Sequence, residues 1–171
     1  MKNYFELFSL TPNFNTDLAK LESAYQQQVA KFHPDNFAIS GDKEKNLALQ
    51  NTSLINTAYD TLKSALLRST YLLELEGINA FDEKDTQMDV SFLMSQIELR
   101  EALEAIEADK DELELDEFIE KISSKIKKNI DNISEAFNST QNKNQIKNMV
   151  RELKFYEQLN LQAKQLLDEW I

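Results

Sequence analysis

The residues best suited to chemistry are His33 and Asp35, which flank Pro34 in the stretch KFHPDNF. A histidine beside a carboxylate could serve as a general acid or base, or bind a metal ion. Nucleophilic catalysis needs three groups that converge in a cleft, and His33 is the only histidine of the chain. We therefore predict no catalytic residues, and a small hydrolase using His33 and Asp35 is the less favoured alternative. A plain turn, with Pro34 fixing the backbone, also fits these residues.

Metal ligands are scarce in the sequence. The chain has no cysteine, which excludes disulfides, cysteine-ligated zinc and iron–sulfur clusters bound directly by cysteine. A di-iron bundle needs Glu-x-x-His pairs, and no histidine follows His33. The acidic stretch 104–120 lacks the aspartate spacing and the central glycine of a calcium loop. We expect neither a metal site nor a cofactor.

The composition is typical of a folded helical protein. Only two glycines and two prolines occur in 171 residues, which argues against β-hairpins, barrels and glycine-rich phosphate loops. Apolar residues make up 42% and charged residues 29% of the chain, so disorder is not expected. No apolar run resembles a signal peptide or approaches the roughly 20 residues of a membrane span. We expect a cytoplasmic protein that does not bind membranes.

The negative charge is concentrated in the second half of the chain. The formal net charge is −11; residues 76–171 hold 12 Lys and Arg against 22 Asp and Glu, a balance of −10. Phosphate groups are repelled by such a surface, so we expect no nucleic-acid partner. Solubility alone could explain the acidity, and docking to a basic protein is the alternative.

Apolar spacing predicts a helical hairpin around His33. Residues 2–9 form a short helix, and Asn15 caps an amphipathic helix that must end near His33 because Pro34 follows. A second helix covers about 42–63, and SALLRSTYLLELEG forms a further short helix with Gly77 at its end. The expected apolar stripes are Leu18, Leu21, Tyr25, Val29 and Phe32 on the first long helix, and Leu47, Leu54, Ile55, Ala58 and Leu62 on the second.

The remainder of the chain predicts a helical bundle. Residues 77–87 read as a junction, and long helices follow at 88–108, 111–138 and 144–170. Short polar connections between three long helices indicate an antiparallel three-helix bundle. The predicted fold is all-α, with a first domain at 1–76 and a bundle at 88–171.

The stretch FHPD, directly after a helix that ends in QQQVAK, resembles the J-domain family of co-chaperones. The resemblance implies that residues 1–76 form a J-domain, an antiparallel hairpin with flanking short helices. It implies that His33, Pro34 and Asp35 contact a DnaK-class chaperone ATPase and stimulate its ATP hydrolysis. Lys20 and Lys31 are candidates for the basic face that docks on this acidic partner. Asn36 departs from the family pattern, in which a basic residue is common at that position.

Three further stretches, LLRSTYLLELEG, SFLMSQIELREALEAI and VRELKFYEQL, resemble the HscB co-chaperones of iron–sulfur cluster biogenesis. The resemblance implies that an acidic three-helix bundle binds IscU, the scaffold protein on which clusters are built. It also implies that the bundle presents IscU to the specialised chaperone HscA, or to a general DnaK. A J-domain co-chaperone with a different client is the alternative.

Helix geometry adds a candidate scaffold-binding patch. At about 100° per residue, Phe92, Leu99, Leu103 and Ile106 share one face and form the expected core stripe. Leu93, Met94 and Ile97 lie nearly opposite. Because a helix of a three-helix bundle buries one side, we expect this second stripe to be exposed. The alternative is that Leu93 and Ile97 pack against the J-domain or a neighbouring helix. The candidate scaffold-binding residues are Leu93, Met94, Ile97, Arg100, Glu101 and Glu104, with Phe155 joining them from the third helix.

Overall fold

The computed structural model describes residues 3–37, 39–139 and 142–171 and divides the chain into two compact units, Met1–Glu76 and Gly77–Ile171. All regular elements in the described residues are helical, which confirms the predicted all-α fold. The helices are α1 (Tyr4–Leu7), α2 (Leu18–Lys31), α3 (Asp42–Lys63), α4 (Ala65–Leu75), α5 (Val90–Asp109), α6 (Glu112–Asn138) and α7 (Lys143–Trp170), with a 3₁₀ turn at Pro34–Phe37.

The first unit is built on the antiparallel pair α2 and α3. The Tyr25 hydroxyl on α2 donates to Asn56 Oδ1 on α3 at 2.6 Å, and the Tyr25 ring stacks on Tyr59 at a centroid distance of 4.0 Å. Helix α1 is joined to α4 through Tyr4, whose N–H donates to the Tyr71 hydroxyl at 2.9 Å. The main buried cluster of this unit includes Phe5, Phe8, Leu21, Ile55, Ala58 and Leu62. Each fully buried Leu, Ile or Phe stabilises the fold by about 1.5–3 kcal/mol.

The cap of α2 differs from the predicted one. Asp17, not Asn15, is the N-cap, and its Oδ1 accepts from the N–H groups of Ala19 and Lys20 at 3.0 and 3.2 Å. Asn15 lies upstream, where its N–H donates to the side chain of Asn13. A carboxylate at the cap satisfies two N–H groups and also favours the positive helix end.

The apolar stripes of the hairpin are narrower than the spacing suggested. Leu18, Leu47 and Leu54 are exposed, so their assignment to the buried face is wrong. On α3, Leu47 and Leu54 lie about 80–100° around the helix from Ile55. The core instead uses Ala48, which lies about 20° from Ile55 and is buried.

Arg68 holds the segment before α2 in place. Its side chain is buried, and its Nε and Nη1 donate to the carbonyls of Phe14 and Leu62 at 2.7 and 2.8 Å. The guanidinium carbon lies 4.8 Å from the centroid of the Phe14 ring. Burial lowers the pKa of the arginine from its usual value, and the two carbonyls and the ring compensate the buried charge.

The second unit is the three-helix bundle α5–α6–α7. Its main apolar cluster includes Phe92, Leu99, Leu103 and Ile106, which confirms the predicted core stripe of α5. Helix α6 contributes Leu115, Phe118 and Ile122, and α7 contributes Phe155, Tyr156, Leu159 and Ala163. Helix α7 packs more extensively on α6 than α5 does, and it also holds the segment 77–87, so it buries residues over a wider arc than α5.

Arg151 clamps the segment 77–87, which belongs to the second unit, onto α7. Its guanidinium donates to the carbonyls of Ala80, Asp82, Asp85 and Gln87 at 2.9, 3.4, 2.6 and 3.3 Å. Lys147 forms an ion pair with the Asp85 carboxylate. That contact, with the Gln87 N–H, holds the pKa of Asp85 below its usual range. Residues 77–87, which were expected to be a junction, therefore pack on α7 as an ordered part of the second unit.

Replacing Arg151 by methionine is expected to destabilise the second unit by about 2–4 kcal/mol. Each hydrogen bond to a charged donor contributes about 1.5–3 kcal/mol, but the total loss is smaller than the sum because the exposed carbonyls regain hydrogen bonds to water. Urea unfolding followed by the fluorescence of Trp170, the only tryptophan, measures this unit. Lys164→Met, an exposed site on α7, is the matched control. The stabilising role of Arg151 would be contradicted if the Arg151→Met variant had the same free energy of unfolding as the control and showed no new proteolysis at residues 80–87.

Candidate protein-binding sites

We call the connection at His33, Pro34 and Asp35 the HPD loop. Hydrogen bonds from both helices of the hairpin fix its position. The Asn36 amide donates to the Ala30 carbonyl near the end of α2 at 2.7 Å, and the Asn36 N–H donates to the His33 carbonyl at 3.0 Å. From α3, the Thr52 hydroxyl lies 3.1 Å from the Phe32 carbonyl. These contacts satisfy carbonyls that the helix end leaves open. The residue that departs from the J-domain pattern thus caps α2.

His33 and Asp35 are displayed to solvent. Their side chains are 52% and 91% exposed, and His33 Nδ1 lies 3.5 Å from Asp35 Oδ2. Nδ1 also accepts from the Asp35 N–H at 3.2 Å. Pro34 opens the 3₁₀ turn between them. An exposed turn excludes no water and encloses no substrate, so this geometry suits recognition by another protein better than catalysis.

The two candidate lysines of α2 share one face. Lys20 and Lys31 are both exposed. They are 11 residues apart, which is three turns of the helix and places them about 20° apart around the axis. Lys31 Nζ lies 5.3 Å from the centroid of the Phe32 ring, next to the HPD loop. The positive charges therefore lie in line with the loop.

The predicted second stripe of α5 is exposed, as expected. We call it the α5 patch: Leu93, Met94 and Ile97, which are 40%, 58% and 58% exposed. The charged residues predicted at its border, Arg100, Glu101 and Glu104, are exposed as well. Adjacent exposed apolar side chains with a charged border are typical of protein-binding surfaces.

Phe155 is buried, so the expectation that its ring is exposed with the patch was wrong, while its assignment as a scaffold-binding residue stays a prediction. The residue is 5% exposed and lies in the bundle core, with an edge-to-face contact to Phe92 at 5.8 Å. The error arose because α7 packs extensively on α6 and also contacts α5 and the segment 77–87, so it buries more than one side. Arg100 still connects Phe155 with the patch, since its guanidinium carbon lies 5.2 Å from the ring centroid.

Other kinds of site find no support in the described residues. Within 3–37, 39–139 and 142–171, no group of three or more His, Asp or Glu side chains is placed to hold a metal ion. None of the helices in those ranges combines the length and apolarity needed to cross a bilayer.

Comparisons with known proteins find similar chains in a single family. Residues 88–164 match the family model described as the HSCB C-terminal oligomerisation domain. A co-chaperone protein HscB homolog of Vibrio vulnificus is 39% identical over 158 residues, 92% of each chain. The structure of chaperone HscB from Vibrio cholerae has a TM-score of 0.87 at 34% identity, covering 99% of this chain and 100% of that one. The structure of the human co-chaperone protein HscB has a TM-score of 0.89 at 30% identity, covering 96% of this chain and 81% of that one.

Proposed function

The chain belongs to the HscB family of co-chaperones, and from this premise we propose that it stimulates ATP hydrolysis by a DnaK-class chaperone of the HscA type and delivers an IscU-type iron–sulfur scaffold protein to it. Its relatives are co-chaperones rather than enzymes, so the protein carries out no catalysis of its own. It acts by binding two partner proteins and by raising the rate at which one of them, the chaperone, hydrolyses ATP. The cytoplasmic location expected from the sequence is part of this proposal.

The observation that supports the proposal is that each compact unit exposes a surface of a different kind. The first unit presents the rigid HPD loop in line with Lys20 and Lys31. This positive face complements an acidic chaperone surface and would raise the rate of encounter.

The second unit presents the α5 patch to the scaffold. Covering three half-exposed apolar side chains removes apolar area from water, at roughly 25 cal/mol per Å². The bordering charges of Arg100, Glu101 and Glu104 fix the orientation of the partner. Cluster assembly and transfer would be aided because the scaffold is held beside the chaperone while ATP is hydrolysed.

Carrying both surfaces on one chain has an energetic consequence. When the scaffold is bound to the second unit, its encounter with the chaperone held by the first unit becomes intramolecular. The effective concentration for such a tethered encounter is of millimolar order, so modest affinities at both surfaces suffice.

A single-turnover ATPase assay with a purified DnaK-class chaperone tests the proposal. The chain should accelerate hydrolysis, and an IscU-type scaffold should raise the rate further. Acceleration by the chain alone with no effect of the scaffold would favour a J-domain co-chaperone with another client. No acceleration at all would reject the proposal.

A further inference from the structure

A cavity of about 280 Å³ lies in the second unit beside the α5 patch. Its lining includes Phe81, Gln96, Arg100, Lys154, Phe155 and Gln158. Gln96 and Arg100 flank Ile97 on α5, so the cavity opens next to the patch. The opposite wall comes from α7 and from the segment that Arg151 clamps.

Two of the cations in this cavity are held on aromatic rings instead of on carboxylates. Arg100 lies over Phe155, and Lys154 Nζ lies 4.4 Å from the centroid of the Phe81 ring. In the described part of the chain, neither has a carboxylate at ion-pairing distance. The rings orient these charges without neutralising them, because a cation–π contact leaves the formal charge in place.

The other charges of the lining are already engaged. Arg151 donates to four backbone carbonyls, and Asp85 pairs with Lys147. Counting Arg100, Arg151 and Lys154 against Asp85, the lining carries three positive charges and one negative charge, a balance of +2. The surrounding residues 76–171 have a balance of −10. The three cations repel one another at this short range, and an anion that enters the cavity relieves the repulsion.

We propose that this cavity receives an acidic side chain of the scaffold protein while the α5 patch takes its apolar contact. This inference rests on the proposed function and names the chemistry that a partner needs at this site. Arg100 offers a planar fork of donors that matches a carboxylate, and Lys154 adds a point charge. The amides of Gln96 and Gln158 can donate to the same group. The acidic surroundings disfavour the alternative occupant, a nucleic acid with its many phosphates.

The test is the affinity of the purified scaffold for variants of the full chain, measured by calorimetry. Lys154→Met keeps the aliphatic stem and removes the charge, and it should weaken binding about 10-fold at low salt. The loss should shrink between about 50 and 300 mM NaCl, because screening weakens the wild-type pair. Lys154→Arg should keep most of the affinity. Lys164→Met, about 15 Å further along α7, is the matched control and should bind like the wild type.

The outcomes separate this inference from the proposed function. If the wild type binds the scaffold and Lys154→Met binds equally well at all salt concentrations, the cavity proposal is overturned and the proposed function stands. If the wild type does not bind the scaffold, the proposed function fails and the cavity proposal falls with it. A double-mutant cycle identifies the occupant, because neutralising the right Asp or Glu of the scaffold should cost nothing further in Lys154→Met. If no scaffold carboxylate couples to Lys154, the proposal is wrong.

Discussion

Replacing His33 by glutamine is expected to reduce the stimulated ATPase rate of the chaperone to its basal rate. The imidazole Nδ1 accepts the Asp35 N–H and stands beside the Asp35 carboxylate. Glutamine has no ring, so it cannot hold the same geometry in the turn. Single-turnover hydrolysis at a fixed concentration of the chain measures the effect, and a loss of about tenfold or more is expected, as for a residue that contributes at least 1.4 kcal/mol to the productive contact.

This loss should occur in a folded protein. The side chain of His33 is half exposed, and surface substitutions of this kind change the free energy of unfolding by about 0.5 kcal/mol or less. Glu22→Gln is a matched control, since this exposed residue lies about 200° around α2 from Lys20. Full stimulation by His33→Gln would show that the HPD loop is not the trigger, whatever the second unit binds.

Truncating the α5 patch is expected to have the second large effect. The triple variant Leu93→Ala, Met94→Ala and Ile97→Ala should weaken scaffold binding by about 2–4 kcal/mol, or roughly 30- to 1,000-fold, because exposed apolar residues at the centre of an interface act as hot spots. The three side chains contribute little to the core, since each is at least 40% exposed. Calorimetric titration of the purified scaffold measures the loss.

Two comparisons make this prediction specific. Leu113→Ala with Leu161→Ala removes exposed apolar side chains of α6 and α7 that lie outside the patch, and it should bind the scaffold like the wild type. The patch variant should also stimulate the chaperone normally when no scaffold is added. Equal scaffold affinity in the patch variant and in the control would remove the patch from the account.

Several features of the fold that depend on residues close together in the sequence were predicted correctly. Pro34 marked the end of α2, because the residue before a proline is disfavoured in a helix. Gly77 marked the end of α4, and the structure gives it a positive φ of 81° that favours glycine. The 100° periodicity separated the core stripe of α5 from its exposed patch, because both are set by one helix.

The features that the sequence did not predict depend on contacts between distant residues. Arg151 lies 64–71 residues from the carbonyls that it binds, and Arg68 lies 54 residues from Phe14. Nothing in the sequence around either arginine distinguishes it from an ordinary exposed arginine. The exposure of Phe155 was mispredicted for a similar reason, since its position around the helix is correct but the packing of α7 on α6, α5 and the segment 77–87 depends on distant residues.

Asn36 illustrates how a departure from a family pattern can be read in two ways. In the sequence it is a missing positive charge next to the HPD motif. In the structure its side chain bonds to the Ala30 carbonyl and ties the loop to α2. A fixed loop loses less conformational entropy when it binds, which offsets part of the lost electrostatic attraction.

If one chain must carry both surfaces, two variants that are each defective in one surface should not complement each other. Scaffold-dependent ATPase stimulation is measured with His33→Gln alone, with the patch variant alone, and with both mixed at equal concentration. We expect that the mixture does not recover the stimulation added by the scaffold, because the scaffold is held on a chain whose loop is inactive. Recovery to the wild-type rate in the mixture would show that the trigger and the delivery surface act independently, so that one chain need not carry both.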